Sequence, residues 1–169
     1  MGERERYWHA PGGPHTFVWK GMKVGSMEYR MMAGKIHRAT VTEANLNYIG
    51  SITIDQNLLT ASGLLPYEMV QITNLANGAL WQTYIIAGEA GKGDICLNGP
   101  PARLFHPHDL VVILGWRNLT RDELRTYQPH VVFVDEHNQI TDVTTEESPF
   151  KEYVNHPGLK AGASETSIG

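Results

Sequence analysis

The stretch EMVQITNLANGALWQTYIIAGE, Glu68 to Glu89, decides the fold class. EMVQITNLANG reads as a strand that closes on Asn77-Gly78, and LWQTYIIAGE reads as its partner. Asn-Gly is a strong hairpin signal because a tight hairpin turn needs positive φ at its central residues. Working outward, GKGDICLNGPPA is a short strand between turns, DLVVILGW a buried strand, and HVVFVDEHNQI another strand. TRDELRTY is one or two helical turns, with Thr120 capping and Glu123 three residues later, the pattern of a capping box. Upstream, GKIHRATVTEAN alternates apolar and polar residues at Ile36, Ala39 and Val41 and reads as a strand. SITIDQNLLTASGLL begins as a strand and becomes a short helix, which Asp55 can cap and Gly63 can end. Short strands at tight spacing, with little helix, point to a small closed β-barrel.

The length, 169 residues, favours one domain, and the 41% hydrophobic content is enough for a core. A net charge of -4 points away from nucleic acid and anionic membranes. No apolar run approaches the roughly 20 residues of a membrane span. Glu3, Arg4, Glu5 and Arg6 precede no apolar segment, so the N-terminus does not read as a secretory signal. The single cysteine, Cys96, excludes an internal disulfide framework and suits a reducing cytoplasm. Without a signal peptide, the sequon Asn118-Leu119-Thr120 is discounted. Residues 1–26, with HAPGGPH and WKGMKVGS, read as a flexible extension. Residues 144–169, rich in Ser, Thr, Glu and Gly, read as a polar tail. The domain proper is then 27–143.

Several candidate sites fall to plainer readings. GEAGKGD, Gly88 to Asp94, lacks the glycine and the Ser or Thr of a phosphate loop, because Ile86 and Gly93 stand there; it is a turn. His106 and His108 flank a proline with no Cys or Glu nearby, so a surface turn is expected rather than a metal site. Cys96 is expected to be a small strand residue. No Gly-x-Ser-x-Gly elbow is present. Gly50-Ser51, inside NYIGSITIDQ, interrupts an otherwise extended run; taken as a dipeptide it reads as a bulge.

The context changes that reading. GKIHRATVTEANLNYIGSITIDQNLL, Gly34 to Leu59, closely resembles the pyruvoyl-dependent aspartate 1-decarboxylases, which make β-alanine for pantothenate and coenzyme A. The resemblance runs through NGALWQTYIIAGEAGKGDICLNGPPARLFHPHDLVVIL and VVFVDEHNQI, about Met27 to Asp142. Its specific set is Lys35, Tyr48-x-Gly50-Ser51, Thr83-Tyr84 and Asn98-Gly99. The family's usual start falls near Met27, which supports reading 1–26 as an extension. The resemblance implies a mainly β fold, a small six-stranded double-psi β-barrel with short helices. It also implies a homotetramer with active sites between subunits.

The resemblance further implies that the Gly50-Ser51 bond is cut by the protein itself. The Ser51 hydroxyl attacks the preceding carbonyl and forms an ester. Elimination leaves dehydroalanine, and hydrolysis leaves a covalent pyruvoyl group in place of Ser51. Residues 1–50 become one chain and 51–169 the other. A glycine on the acyl side suits an attack that needs unusual backbone geometry. Thr83 is the family's donor to the oxyanion. A substrate amine condenses with the pyruvoyl ketone as a Schiff base, an electron sink that lets carbon dioxide leave. Tyr84 is the family's proton donor. Asn98 is placed near the pyruvoyl carbonyl, Lys35 against a substrate carboxylate, and Tyr48, three residues before the cut, helps shape the site. No metal or pyridoxal phosphate is implied, and a maturation factor for the cleavage is left open.

Two departures from the family fall in the substrate pocket. Leu80, beside Trp81, stands where members usually carry an arginine that pairs with the aspartate carboxylate. After Asn98-Gly99 come Pro100 and Pro101 in place of small alanines, and proline has no N–H to offer an anion. Both changes point to a less acidic amino acid or an aminoacyl conjugate as an alternative substrate, with Arg103 or Arg38 as replacement cations for aspartate itself. A non-catalytic binding barrel is the alternative from another class; the retained Ser51, Thr83 and Tyr84 argue against it.

Overall fold

The computed structural model describes residues 27–48 and 50–147. The expectations for residues 1–26 and for the tail beyond 147 lie outside them. The strands are β1 (Glu28–Thr40), β2 (Glu43–Asn45), β3 (Ser51–Asp55), β4 (Met69–Asn74), β5 (Leu80–Gly88), β6 (Ile95–Asn98), β7 (Leu110–Thr120), β8 (His130–Val134) and β9 (Ile140–Thr144). A helix, α1 (Gln56–Ser62), follows β3, and short 3₁₀ turns occupy Pro100–Arg103 and Glu123–Arg125. The fold is mainly β, as expected. Nine strands form among the described residues where the resemblance implied six; β2 has only three residues, and β9 is an edge strand.

The hydrogen-bonded order is β2-β6-β3-β5-β4-β7-β1-β8-β9. β4 and β5 form the antiparallel hairpin read from Asn77-Gly78, with Gly78 at φ 71. β1 runs antiparallel to β7 and parallel to β8, and β3 runs parallel to β5 and antiparallel to β6. β1 begins at Glu28, well before the alternating segment, because Glu28 to Met32 pair along the far half of β7. The same pairing carries β7 on to Thr120. Ile36, Ile52, Ile54, Ile72, Ile85 and Ile113 are fully buried and fill the interior.

Local chemistry pins the elements that carry the site. The Asp55 carboxylate caps α1 by accepting the Asn57 N–H at 2.7 Å, and Gly63, at φ 70, ends the helix. The other Asp55 oxygen accepts the Gly93 N–H at 2.6 Å. The GEAGKGD segment is thus a turn wrapped on Asp55. Asn138, 2% exposed, bonds both backbone groups of Thr40 and also the Gly93 carbonyl. Thr42 closes on Ile95 through both its N–H and its hydroxyl. The Asp55–Gly93 bond holds the start of β6 to the end of β3, and the Asn138 and Thr42 bonds hold it to the end of β1. Thr120 and Glu123 exchange the expected capping bonds around a single 3₁₀ turn.

Candidate active site

Ser51 is the first residue of β3 and is fully buried. Asn98, the last residue of β6, lies directly opposite it and is 5% exposed. The Asn98 Nδ2 donates to Ser51 Oγ at 3.2 Å and to Thr53 Oγ1 at 3.2 Å. Successive strand side chains alternate faces, so Ser51 and Thr53 share one side of β3, and a single amide reaches both. Thr53 was not among the expected site residues; its place two positions after Ser51 is the signal that marks it.

Gly50 precedes the strand, so the Gly50-Ser51 bond lies at its edge rather than inside it. Gly99 is packed against it. With φ 76 and ψ -142, Gly99 occupies a region that only glycine readily enters. A Cβ added there would lie 2.9 Å from Gly50 Cα and 3.2 Å from the Tyr48 carbonyl oxygen. The Gly99 N–H donates to the Asn45 carbonyl at 2.8 Å, which holds this turn to β2. Pro100 and Pro101 open the 3₁₀ turn; Pro101 is buried, and the next N–H, on Ala102, is taken by the Gly99 carbonyl. The Pro100 ring stands 3.8 Å from the position of an added Gly50 Cβ.

β5 supplies the next wall. Its register with β3 begins at Ile52 opposite Ile85, so Ser51 and Tyr84 each sit one residue before that pair. Tyr84 is opposite exposed Met69, whereas Thr83 is opposite buried Val70. The neighbours therefore take opposite sides of the strand. No side-chain hydrogen bond links Thr83 to Ser51 or Gly50 among the described residues. Leu80, at the start of β5 and 54% exposed, shares the Tyr84 side. Tyr48 is 52% exposed at the rim.

Among the described residues, Lys35 makes no side-chain hydrogen bond or ion pair with Ser51 or Asn98, and the strand order sets it apart from them. It lies on β1, opposite Leu114 and Val131, with β5, β4 and β7 between it and β3. Its Nζ pairs with Glu147. Arg103 is exposed in the 3₁₀ turn, and Arg38 is half-buried at φ 59 in β1.

The discarded candidates sit where expected. His106 and His108 lie in an exposed turn, where the Asp109 carboxylate accepts the His106 N–H at 2.8 Å. Cys96 is half-buried in β6, and burial pushes its thiol above its ordinary value, away from thiolate reactivity. Among the described residues, no three His, Cys, Asp or Glu are grouped to hold a metal. No described helix is long and apolar enough to cross a membrane.

Against known families, residues 27–141 match the model described as aspartate decarboxylase. The chain belongs to the aspartate decarboxylase family. Curated relatives agree with this assignment. The aspartate 1-decarboxylase of Acetivibrio thermocellus is 52% identical over 117 residues, 69% of this chain and 93% of that protein. The one from Carboxydothermus hydrogenoformans is 56% identical over 69% of this chain and 92% of its own length. The one from Salinibacter ruber is 52% identical over 70% and 82%. As a member of the aspartate decarboxylase family, the chain is a decarboxylase, a carbon–carbon lyase.

Proposed function

We propose that this chain cuts itself between Gly50 and Ser51 and then converts L-aspartate to β-alanine and carbon dioxide with a pyruvoyl group derived from Ser51. The observation that carries the reading is the buried Ser51 hydroxyl, held by the Asn98 amide at the tightly packed Gly50–Gly99 joint. The hydroxyl adjoins the carbonyl it would attack. Asn98 Nδ2 donates to its oxygen, which suits an oxygen that gains negative charge as it leaves Cβ.

The surroundings fit a small uncharged ketone. Ser51 is shielded from water, and the backbone of Gly50 and Gly99 takes no extra volume. Such a group supplies an electron sink, so carbon dioxide leaves without a free carbanion. The chain's residues do the rest. Asn98 orients the reacting end. Tyr84, one strand over, donates a proton to the α-carbon. Lys35 holds the substrate's second carboxylate, Tyr48 and Leu80 form the rim, and Thr83 assists the cleavage.

The position of Lys35 supports a homotetramer with sites between subunits, in which Lys35 of one copy serves Ser51 of another. The exposed Tyr48, Met69 and Leu80 leave this face open for such a contact. Parallel pairing of β1 with β8 and of β3 with β5 supports a double-psi crossing. The match over 27–141 supports a catalytic domain of 27–143 between two appendages, and the reading includes a cytoplasmic place in β-alanine supply for pantothenate.

The relatives' names support aspartate. They lend nothing to a less acidic substrate or to a non-catalytic barrel. Leu80 and the proline pair are local differences within an aspartate pocket. The test is carbon dioxide release from L-aspartate by the processed protein, with Ser51→Ala as the uncut control. Release by the native chain alone is expected; no release from aspartate overturns the reading.

A further inference from the structure

Thr144 ends β9 opposite Val131 of β8, and Val131 lies opposite Lys35 of β1. The register therefore delivers the chain leaving β9 to the row that carries Lys35. The Thr144 hydroxyl then donates to the Glu146 carbonyl at 3.0 Å and accepts the Glu146 N–H at 3.2 Å. This local turn folds the chain back after the strand. Glu147 comes next, with Oε1 2.5 Å from Lys35 Nζ. The two side chains are 16% and 38% exposed, Lys35 being the more shielded. Among the described residues, Lys35 has no other ion-pair partner.

A carboxylate of the protein thus sits on the cation that the reading above assigns to a substrate carboxylate. The two have the same chemistry, and like charges crowd each other at one ammonium. We propose that Glu147 is an internal competitor: it occupies Lys35 when the site is empty and gives way when a dicarboxylate enters. The inference rests on Lys35 being the substrate's partner. It makes residues 144–147 a strap on the site rather than the start of an inert tail. An ion pair open to water on one side is weak enough for a substrate to displace. Its cost to the substrate is an apparent affinity reduced by the fraction of sites left open.

The test uses the full, processed chain and Glu147→Gln, which removes the charge and keeps the shape. Two quantities are read: binding of succinate, a dicarboxylate with no amine to react, by calorimetry, and KM against kcat for aspartate. The succinate Kd and the aspartate KM are both expected to fall about two- to fivefold, the size of a part-exposed ion pair, with the change in KM rather than kcat. Glu147→Ala should give the same gain. If both variants leave succinate affinity unchanged while Lys35→Gln weakens it, the competitor is overturned and the role of Lys35 stands. If Lys35→Gln also leaves succinate affinity unchanged, the role of Lys35 fails and the competitor fails with it.

Discussion

Gly99→Ala tests whether the joint beside the scissile bond is as tight as the geometry implies. At φ 76 and ψ -142 the native backbone lies where a residue with a Cβ is strained by about 1–3 kcal/mol. The new Cβ lands 2.9 Å from Gly50 Cα and 3.1 Å from Gly50 N. These are backbone atoms, so no rotamer change relieves the clash, and overpacking of this kind adds about 1–3 kcal/mol. The total loss of stability is about 2–6 kcal/mol. Relief must come by moving Gly50, whose carbonyl is the target of attack. A displacement of about 1 Å at a reacting centre costs on the order of 10²-fold in rate. Gly78→Ala is the control: φ is 71 there too, but an added Cβ meets nothing within 4 Å. It should lose only about 1–2 kcal/mol, the cost of the backbone conformation, and cleave at the native rate. The assay follows the cleaved fraction by intact mass over time and measures stability by urea denaturation. If Gly99→Ala cleaves as fast as Gly78→Ala and is no less stable, the packing argument is refuted.

Other predictions follow from the same contacts. Asp55→Ala removes the cap of α1, worth about 0.5–2 kcal/mol, and leaves the buried Gly93 N–H without its acceptor, worth about 1–3 kcal/mol; denaturant unfolding should show the loss. Burial alone would raise the Asp55 carboxyl, but N–H bonds from Gly93, Asn57, Gly91 and Lys92 outweigh it and hold it below its ordinary 3.8. Its contribution is therefore complete above that unfolded value and is lost as pH falls through the lower folded one; Asp55→Ala should flatten this acid limb of the stability profile. Asn98→Ala should cut aspartate turnover on the order of 10²-fold, the loss of one positioned donor, while costing only about 1–2 kcal/mol of stability. Tyr84→Phe should leave the chain cut yet lower kcat by about 10²–10⁴-fold in a carbon dioxide assay, and native turnover would remove Tyr84 from the proton transfer.

The hairpin, the helix bounded by Asp55 and Gly63, and the Thr120–Glu123 bonds were legible because each depends on short-range backbone chemistry. The first half of β1 was not. Its side chains at Glu28, Tyr29, Arg30 and Met31 are all exposed, so no alternation marks it, and only β7 makes it a strand. Ser51 and Asn98 were legible as members of one family pattern, and the ladder sets them opposite each other. Thr83 and Tyr84 looked like a unit in the sequence, yet strand alternation separates their sides. The dual role of Asp55, which caps a helix and anchors a turn 38 positions away, has no local signature. Neither does the meeting of Lys35 and Glu147, 112 positions apart, which only the β1-β8-β9 register creates.

All of the proposed chemistry depends on the conversion of Ser51 into the reactive group. Its most direct test is the intact mass of the purified, denatured protein. Two chains divided after Gly50 are expected, the larger one lighter by one ammonia than a chain beginning with serine, as a pyruvoyl end requires. A single uncut chain that persists through prolonged incubation, or a larger fragment that still begins with serine, would contradict it.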